Sequence, residues 1–358
     1  MKSARTLQGL VRSVTPARAH HGPTRVTSVG LVGAPFNKGQ PRPGVELGPS
    51  RIREAGLVEL LRTQGVPVKD FGDLEFKAFS NDAPVGGVRN PRAVGSAAHR
   101  LSQALQEVKR EGHTALMLGG DHSLALGSVH GHSAAVGDLS VVWVDAHADI
   151  NTPLTSGTGN LHGQPLSFLL RDLRDKIPLL PNFSWVTPCL WAKHLVYIGL
   201  RDVDPGEHFI LKHLGVKFFS MSDVDHLGIC RVMEETCDFL QNQGQRPIHL
   251  SFDVDALDPS VTPATGTPVR GGLTYREGVY ITESLHQTGL LSAVDLVELN
   301  PYMSDSEGGV KSTVSAAVDL ILGCFGRRRE GSHAPDYSLP QATSSPAHNG
   351  DKPRPQCS

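Results

Sequence analysis

Three side chains of metal-binding type occupy alternate residues directly after an apolar run. Asp145, His147 and Asp149 follow Leu139–Val144. Such a run is typical of a buried parallel strand, and open α/β sheets bind ligands at the carboxyl ends of these strands. Because alternate residues of a strand face the same side, the three side chains are predicted to point the same way. The alternative is a solvated acidic turn, but such a turn does not need a histidine between two carboxylates. We therefore predict a metal site here.

Two other apolar segments end in the same way. Thr114–Leu118 leads to His122 through two glycines that let the backbone bend tightly. Ile248–Phe252 leads into Asp253 and Asp255. His122 alone would more often be a histidine with satisfied hydrogen bonds near a turn. Two close carboxylates, however, repel each other unless they share a proton or bind a cation.

The predicted ligands provide oxygen and imidazole donors and no thiolate: His122, Asp145, His147, Asp149, Asp253 and Asp255. Four carboxylates and two imidazoles suit two divalent ions with bridging carboxylates and differ from structural zinc sites. Two ions about 3.5–4 Å apart can acidify a water molecule and hold the hydroxide against a substrate. We expect two Mn(II) ions per subunit, although Co(II), Ni(II) or Zn(II) also suit these ligands.

Several motifs, in order along the chain, resemble those of the ureohydrolase family and, within it, the arginases. The resemblance runs from about Val26 to Glu330, and its motifs are Gly33–Gln40, Gly119–Ser123, Asp145–Pro153, Gly159–Pro165, Ser251–Asp255 and Pro263–Pro268. It implies hydrolysis of L-arginine to L-ornithine and urea. It also implies that one manganese ion takes His122, Asp145, Asp149 and Asp253, and the other His147, Asp145, Asp253 and Asp255.

The resemblance gives roles to further residues. His162 would carry a proton to the departing amine, and Glu298 would pair with the planar guanidinium through two hydrogen bonds. Without the resemblance, His162 is an ordinary loop histidine and Glu298 an ordinary member of an ion pair. The substrate-binding residues that it implies are Asn151, Thr158, Asn160, Asp204, Glu207 and Thr265.

The substrate-binding group favours arginine over agmatine, which lacks the α-carboxylate. Neutral donors without that carboxylate would be left unpaired, at about 1–3 kcal/mol for each buried group. Thr158 stands where arginases usually carry serine, and Ala256 where they often carry glycine. The extra methyl of Thr158 bears on affinity more than on the reaction.

Two other classes of protein stay open. An agmatinase or a deacetylase on the same scaffold would lack the group that holds the amino-acid end of the substrate. A catalytically silent arginine-binding protein would have lost a metal ligand, His162 or Glu298. This chain keeps all of these residues.

Length and composition indicate one soluble enzyme domain. A chain of 358 residues with 39% hydrophobic content can bury a large core, and its formal net charge is −2. No basic stretch is interleaved with aromatics as in nucleic-acid surfaces, and no apolar run approaches the roughly 20 residues that span a bilayer. Five cysteines without metal-ligand spacing indicate a reducing compartment.

Apolar segments alternate with helical patterns, which predicts an α/β fold with a central, mostly parallel sheet of about eight strands. Val94–Val108 follows the helical i, i+3, i+4, i+7 rule, and Gly112 is placed to end that helix. The pattern does not distinguish a closed barrel from an open sheet. The resemblance favours a three-layer, doubly wound open sheet. The predicted strands are Ser28–Gly33, Val66–Phe71, Thr114–Leu118, Leu139–Val144, Leu195–Gly199, Val216–Ser220, Ile248–Phe252 and Ala293–Glu298.

Both ends of the chain differ in composition from this domain. No acidic residue precedes Glu46, whereas five basic residues precede Val26. As a helix the leader is amphipathic, which is typical of a mitochondrial transit peptide, and a disordered leader is the alternative. We predict a transit peptide at 1–22, a catalytic domain at 23–330 and a disordered tail at 331–358. The expected location is the mitochondrial matrix, and the expected type is the mitochondrial arginase.

The resemblance also implies a homotrimer, with Glu277 and Arg329 at contacts between subunits. Exposed ion pairs contribute about 0–1 kcal/mol each, so neither residue alone decides assembly. The expected partners are therefore L-arginine and further copies of the chain, with no nucleic acid and no membrane.

Overall fold

The computed structural model describes residues 28–242, 244–330 and 338–340. The chain divides into two units, Met1–Arg327 and Arg328–Ser358, and the first contains the sheet and every predicted site residue. The predicted transit peptide lies outside the described residues, as does the predicted tail apart from residues 338–340. The boundaries predicted for these segments therefore stay predictions.

All eight predicted strands are present, and they form one sheet in which every pairing is parallel. The strand order is β2-β1-β3-β8-β7-β4-β5-β6. Because β2 and β6 lie at opposite edges, the sheet is open, and the closed barrel is excluded for the described residues. The strands are β1 Val29–Ala34, β2 Val68–Asp73, β3 Thr114–Gly119, β4 Ser140–Val144, β5 Leu195–Leu200, β6 Lys217–Ser220, β7 Ile248–Asp253 and β8 Leu291–Val297.

Helices cover both faces of the sheet. They are α1 Gly48–Glu54, α2 Leu57–Thr63, α3 Pro91–Arg110, α4 Ala125–Val136, α5 Pro165–Leu169, α6 Pro205–Leu214, α7 Met221–Leu227, α8 Ile229–Asn242, α9 Tyr275–Gln287 and α10 Glu307–Cys324. Helix α3 extends the predicted helical segment at both ends, and Gly112 follows it with a φ of +84° that suits glycine.

Two hydrophobic cores separate the three layers. One core contains the buried faces of α3, α4 and α5, and the other contains those of α1, α2, α8, α9 and α10. Successive residues of β3 alternate between the two cores, with Met117 in the first and Leu118 in the second. This double burial explains why the inner strands are continuous apolar runs. Among the described residues, no helix is both long and apolar enough to cross a membrane.

The strand order brings the predicted site segments together. Strands β3, β8, β7 and β4 are neighbours at the centre of the sheet. Since they are parallel, their carboxyl ends meet at one edge, and each is followed by a segment that carries predicted site residues.

Candidate metal centre

The six predicted ligands meet at the carboxyl edge of the sheet, but not through strand alternation. Strand β4 ends at Val144, so Asp145, His147 and Asp149 lie in the loop that follows it. Asp149 has a φ of +51°, which no strand residue adopts. The prediction that these three side chains share a strand face is therefore wrong in its reason: the loop turns them inward after the strand has ended.

The other ligands also lie in turns beyond strands or at their last residue. His122 begins a short 3-10 turn after β3, and Asp121 accepts a hydrogen bond from Ser123 N–H at its start. Asp253 is the last residue of β7. Asp255 lies in the 3-10 turn Val254–Ala256, where its N–H donates to Asp253 Oδ1 over 2.8 Å. Tight turns at strand ends thus bring the ligand atoms close together.

His122 Nδ1 faces three carboxylates at once. It lies 3.1 Å from Asp145 Oδ2, 3.0 Å from Asp149 Oδ2 and 3.2 Å from Asp253 Oδ2. One N–H lies in the ring plane and cannot point at three oxygens, and Nδ1 in fact makes no hydrogen bond of acceptable geometry. A buried nitrogen surrounded by three carboxylate oxygens is the coordination set of a divalent cation. These residues therefore fit a metal ion.

Neighbouring side chains hold the His122 ring in the orientation that metal binding through Nδ1 requires. Its Nε2 lies 2.9 Å from Ser251 Oγ, which leaves Nδ1 for the carboxylates. The ring stacks on Trp143 with centroids 4.1 Å apart, and Trp143 Nε1 donates to Asp145 Oδ2 over 3.0 Å. Outer partners of this kind orient the ligands of metal sites and tune their basicity.

A second group shares Asp145 with the first. His147 Nδ1 lies 3.3 Å from Asp145 Oδ1 and 3.3 Å from Asp255 Oδ2. The ligand atoms of Asp145, His147 and Asp255 lie within 4.8 Å of one another, as do those of His122, Asp145 and Asp149. Thr267 donates its hydroxyl hydrogen to Asp255 Oδ2 over 2.9 Å. The overlap through Asp145 is compatible with a binuclear centre.

Burial and crowding move the pKa values of these groups. Burial and the charge of Asp145 raise the pKa of Asp149 to about 6. Burial, with the charges of neighbouring carboxylates, raises the pKa of Asp253 well above its usual range. Burial opposes protonation of His122, but the three carboxylates within 3.2 Å of its Nδ1 outweigh burial and raise its pKa well above the usual value. Without cations, the centre therefore retains protons that cations would displace.

These shifts predict how the stability of the metal-free protein depends on pH. A group whose pKa is raised on folding stabilises the protein below its unfolded pKa and loses that contribution as pH rises through the folded pKa. For Asp149 the window runs from 3.8 to about 6, and for His162 from 6.5 to about 9. The contribution of these two groups to the free energy of unfolding should thus fall as pH rises from about 4 to 9. Below pH 6.5 it is opposed by His130, His132 and His194, whose pKa values are lowered by burial. Urea denaturation at each pH, with excess chelator present, measures the free energy of unfolding.

The metal-loaded protein is the control for this series. Because cations would replace the retained protons, its stability should vary less with pH over the same range. The contribution of His162 is unopposed by His130, His132 and His194 above pH 6.5, so a metal-free protein that becomes more stable between about pH 7 and pH 8 would contradict the prediction.

His162 and Glu298 lie beside the centre as a pair. His162 Nδ1 is 3.2 Å from Glu298 Oε1, and the same oxygen accepts a hydrogen bond from the backbone N–H of His122 over 2.8 Å. Burial opposes protonation of His162, but the Glu298 contact outweighs it and raises the pKa of His162 to about 9. A protonated imidazole at this place can donate a proton at neutral pH.

Glu298 has a strained backbone. Strand β8 ends at Val297, so Glu298 lies just beyond the strand predicted to include it, with a φ of +62°. A glutamate rarely adopts this left-handed conformation, which costs on the order of 1 kcal/mol or more. The surrounding bonds hold it there, since Glu298 N–H donates to Gly120 O over 3.0 Å.

The residues predicted for the amino-acid end of the substrate differ in burial. Asn151 is buried and its Nδ2 donates to Asp204 Oδ2 over 2.8 Å, whereas Asp204 and Thr158 are exposed. Thr158 Oγ1 accepts the N–H of the half-buried Asn160 over 3.2 Å. The penalty for unpaired buried donors, used to predict arginine over agmatine, therefore applies to Asn151 and not to Thr158.

Glu207 and Thr265 are buried. Glu207 accepts the Ile150 N–H through Oε1 over 3.1 Å and the Asp204 N–H through Oε2 over 3.0 Å, so its carboxylate holds the backbone on which Asp149 and Asn151 lie. Burial and the charge of Asp149 raise the pKa of Glu207 to about 7. Thr265 Oγ1 has no hydrogen-bond partner among the described residues.

Sequence reasoning gave no role to several residues that contact the predicted ligands. Ser251 lies two residues before Asp253 on β7, so strand alternation would have placed it on the same face. Thr267 belongs to the Pro263–Pro268 motif, but its contact with Asp255 depends on the fold. Asp121 precedes His122 directly and is buried.

The sequence of this chain is similar to a known protein family over most of its length. The model described as "Arginase family" matches residues 27–326. This chain belongs to the arginase family. It is thus a hydrolase of that family, and the metal-compatible groups at the carboxyl edge of its sheet lie within the matched residues.

Individual relatives of this arginase-family chain cover most of its length. Arginase-1 of Homo sapiens is 60% identical over 314 residues, which are 87% of this chain and 98% of that protein. "Arginase-2, mitochondrial" of Homo sapiens is 54% identical over 342 residues, 95% of each protein. The structure of arginase from Bacillus caldovelox superposes with a TM-score of 0.77 at 36% identity, over 85% of this chain and 99% of that one.

Proposed function

We propose that this protein is a binuclear manganese enzyme that hydrolyses L-arginine to L-ornithine and urea. The observation that carries the proposal is the shared carboxylate of Asp145, which lies between His122 Nδ1 and His147 Nδ1. The arginase relatives support the substrate, since the chain covers 98% of human arginase-1.

Each of two cations would have its own imidazole in this proposal. His122, Asp145, Asp149 and Asp253 would hold the first, and His147, Asp145, Asp253 and Asp255 the second. Such a pair of ions supplies Lewis acidity, which makes hydroxide available from water at neutral pH and polarises the substrate. Manganese is proposed because the donors are mostly hard oxygens with two imidazoles and no thiolate.

The remaining site residues would act on the substrate. Guanidinium is planar and stays protonated, so the Glu298 carboxylate would orient it through paired hydrogen bonds. His162 would donate the proton that the departing amine needs, since its raised pKa keeps the ring charged at neutral pH. Glu207 would hold the backbone of Asp204 and the backbone next to Asn151 in place. The residues that would contact the amino-acid end are Asn151, Thr158, Asn160, Asp204 and Thr265.

The experiment that tests the proposal is urea release from arginine and agmatine side by side. The protein is preloaded with Mn(II), and bound metal is counted in the same sample. We expect two metals per chain and a kcat/KM at least about fivefold higher for arginine than for agmatine, because one buried donor left unpaired costs about 1–3 kcal/mol. Asn151→Ala should reduce the ratio of kcat/KM for arginine to that for agmatine, whereas the surface variant Asn182→Ala should leave this ratio unchanged.

The other outcomes separate the alternatives. Urea from agmatine alone would keep the metal centre and overturn the substrate. Two bound metals without urea from either compound would indicate the silent arginine-binding protein.

We also propose the mitochondrial type of arginase, with a transit peptide at 1–22, a catalytic domain at 23–330 and a tail at 331–358. The match to human arginase-2 supports it by covering 95% of the chain, against 87% for arginase-1, although identity is higher to arginase-1. Import into isolated mitochondria should fail when residues 1–22 are removed. A homotrimer is proposed with it, and sedimentation as a stable monomer at micromolar concentration would count against that assembly.

A further inference from the structure

Asp121 is a fully buried carboxylate beside the metal centre with no part in the proposed ligand set. Its Oδ2 accepts the N–H of Gly39 over 2.8 Å, and its Oδ1 accepts the N–H of Ser123 over 3.0 Å and also the Ser123 hydroxyl hydrogen. The carboxylate therefore ties the turn of His122 to a loop that lies 82 residues earlier in the chain.

Gly39 connects this carboxylate to His162. Its carbonyl oxygen accepts the His162 N–H over 3.0 Å, while its own N–H donates to Asp121. The approach is so close that a Cβ on residue 39 would overlap Asp121 Oδ1 and Ser123 Oγ. Only glycine lets the loop rest on the carboxylate in this way.

The bonds close into a ring around His162. Asp121 is followed by His122, whose backbone N–H donates to Glu298 Oε1. That oxygen lies 3.2 Å from His162 Nδ1. His162 is thus held at its backbone through Gly39 and at its imidazole through Glu298. Both connections lead back to the Asp121–His122 dipeptide.

We infer that Asp121 is a positioning residue for His162, acting through the Gly39 loop. The inference rests on the proposed function, in which His162 delivers a proton to the departing amine. Proton transfer depends on donor position, and a misplacement of about 1 Å can lower a rate by about 100-fold.

Asp121→Asn tests the inference with little change in shape. The amide has one acceptor oxygen where the carboxylate has two, so its NH₂ group must face either the Gly39 N–H or the Ser123 N–H. Two donors facing each other should displace the loop. We expect kcat for arginine to fall about 10- to 100-fold, with KM within about threefold and two metals still bound per chain.

A double-mutant cycle with His162→Ala separates positioning from general support. If Asp121 acts through His162, adding Asp121→Asn to His162→Ala should lower kcat by less than about twofold. An equal fall in both backgrounds would overturn the inference, and so would loss of metal in Asp121→Asn alone. Unmeasurable urea release by the wild-type protein would instead refute the proposed function.

Two further variants complete the test. Gly39→Ala forces the loop away from Asp121 without changing the chemistry of the carboxylate. It should therefore reproduce the fall in kcat and the lack of additivity with His162→Ala. Failure to do so would count against the inference, as would misfolding of both Asp121→Asn and Gly39→Ala. The matched control is Asp82→Asn, because the Asp82 carboxylate also accepts two backbone N–H groups, those of Arg92 and Ala93. It lies outside the ring and should leave kcat unchanged.

Discussion

Asp145→Ala is expected to remove both metal ions and to abolish urea release. Asp145 is fully buried, and its two oxygens face different histidines, Oδ2 at 3.1 Å from His122 Nδ1 and Oδ1 at 3.3 Å from His147 Nδ1. Loss of one shared carboxylate therefore weakens both metal positions. The fall in kcat/KM should exceed the 10²–10⁴-fold that a single acid–base group contributes. Metal per chain and urea release are measured on the same sample.

The Asp145→Ala experiment needs two controls, one for the stability of the fold and one for the loss of a negative charge. Asp145→Asn keeps the shape of the side chain, and its one amide oxygen can accept from Trp143 Nε1 or from the backbone N–H of His147. Thermal unfolding of this variant therefore separates metal loss from misfolding. Asp225→Ala removes an exposed carboxylate on α7 and should retain both metals and full activity. A folded Asp145→Ala protein that kept one tightly bound metal would show that the two positions do not share this residue.

His162→Ala is expected to slow turnover and to leave the metals in place. The His162 side chain contacts Glu298 and lies outside both groups of ligand atoms. Without a proton donor for the departing amine, kcat should fall about 10²–10⁴-fold. Metal analysis and steady-state urea release distinguish this variant from Asp145→Ala. His208→Ala, an exposed histidine on α6, is the matched control. Equal metal loss in the two variants would refute the division of roles.

The parts of the fold that sequence predicted well are those buried on both faces. Strands β3, β4 and β7 are buried at every position, so their apolar runs were unambiguous. The edge strand β2 is partly exposed and starts two residues later than predicted, at Val68. The strand order, by contrast, depends on contacts between distant segments, and only the resemblance favoured an open sheet.

The candidate site was also predicted from sequence only in part. Residue chemistry alone pointed to the six ligand types, because close carboxylates and imidazoles have few other uses. Their geometry was predicted for the wrong reason, since the strands end before Asp149 and Asp255. The supporting contacts join segments far apart in the chain, such as Gly39 with Asp121 and Thr267 with Asp255. Spacing along a sequence carries no information about such pairs.

The central position of β7 and β8 has a consequence for how the protein folds. These are the last two strands in the chain, yet they lie between β3 and β4 and join two half-sheets, β2-β1-β3 and β4-β5-β6. The inner edge of one half-sheet, at β4, lacks its neighbour until β7 has been synthesised, and that of the other, at β3, lacks its neighbour until β8 has been synthesised. Completing the sheet requires contacts between distant segments, which slows folding. The proposed metal centre would take His122 from one half, Asp145 from the other and Asp253 from β7. Metal capture would therefore be a late step of folding, and a metal-loaded chain would be one whose sheet is already complete.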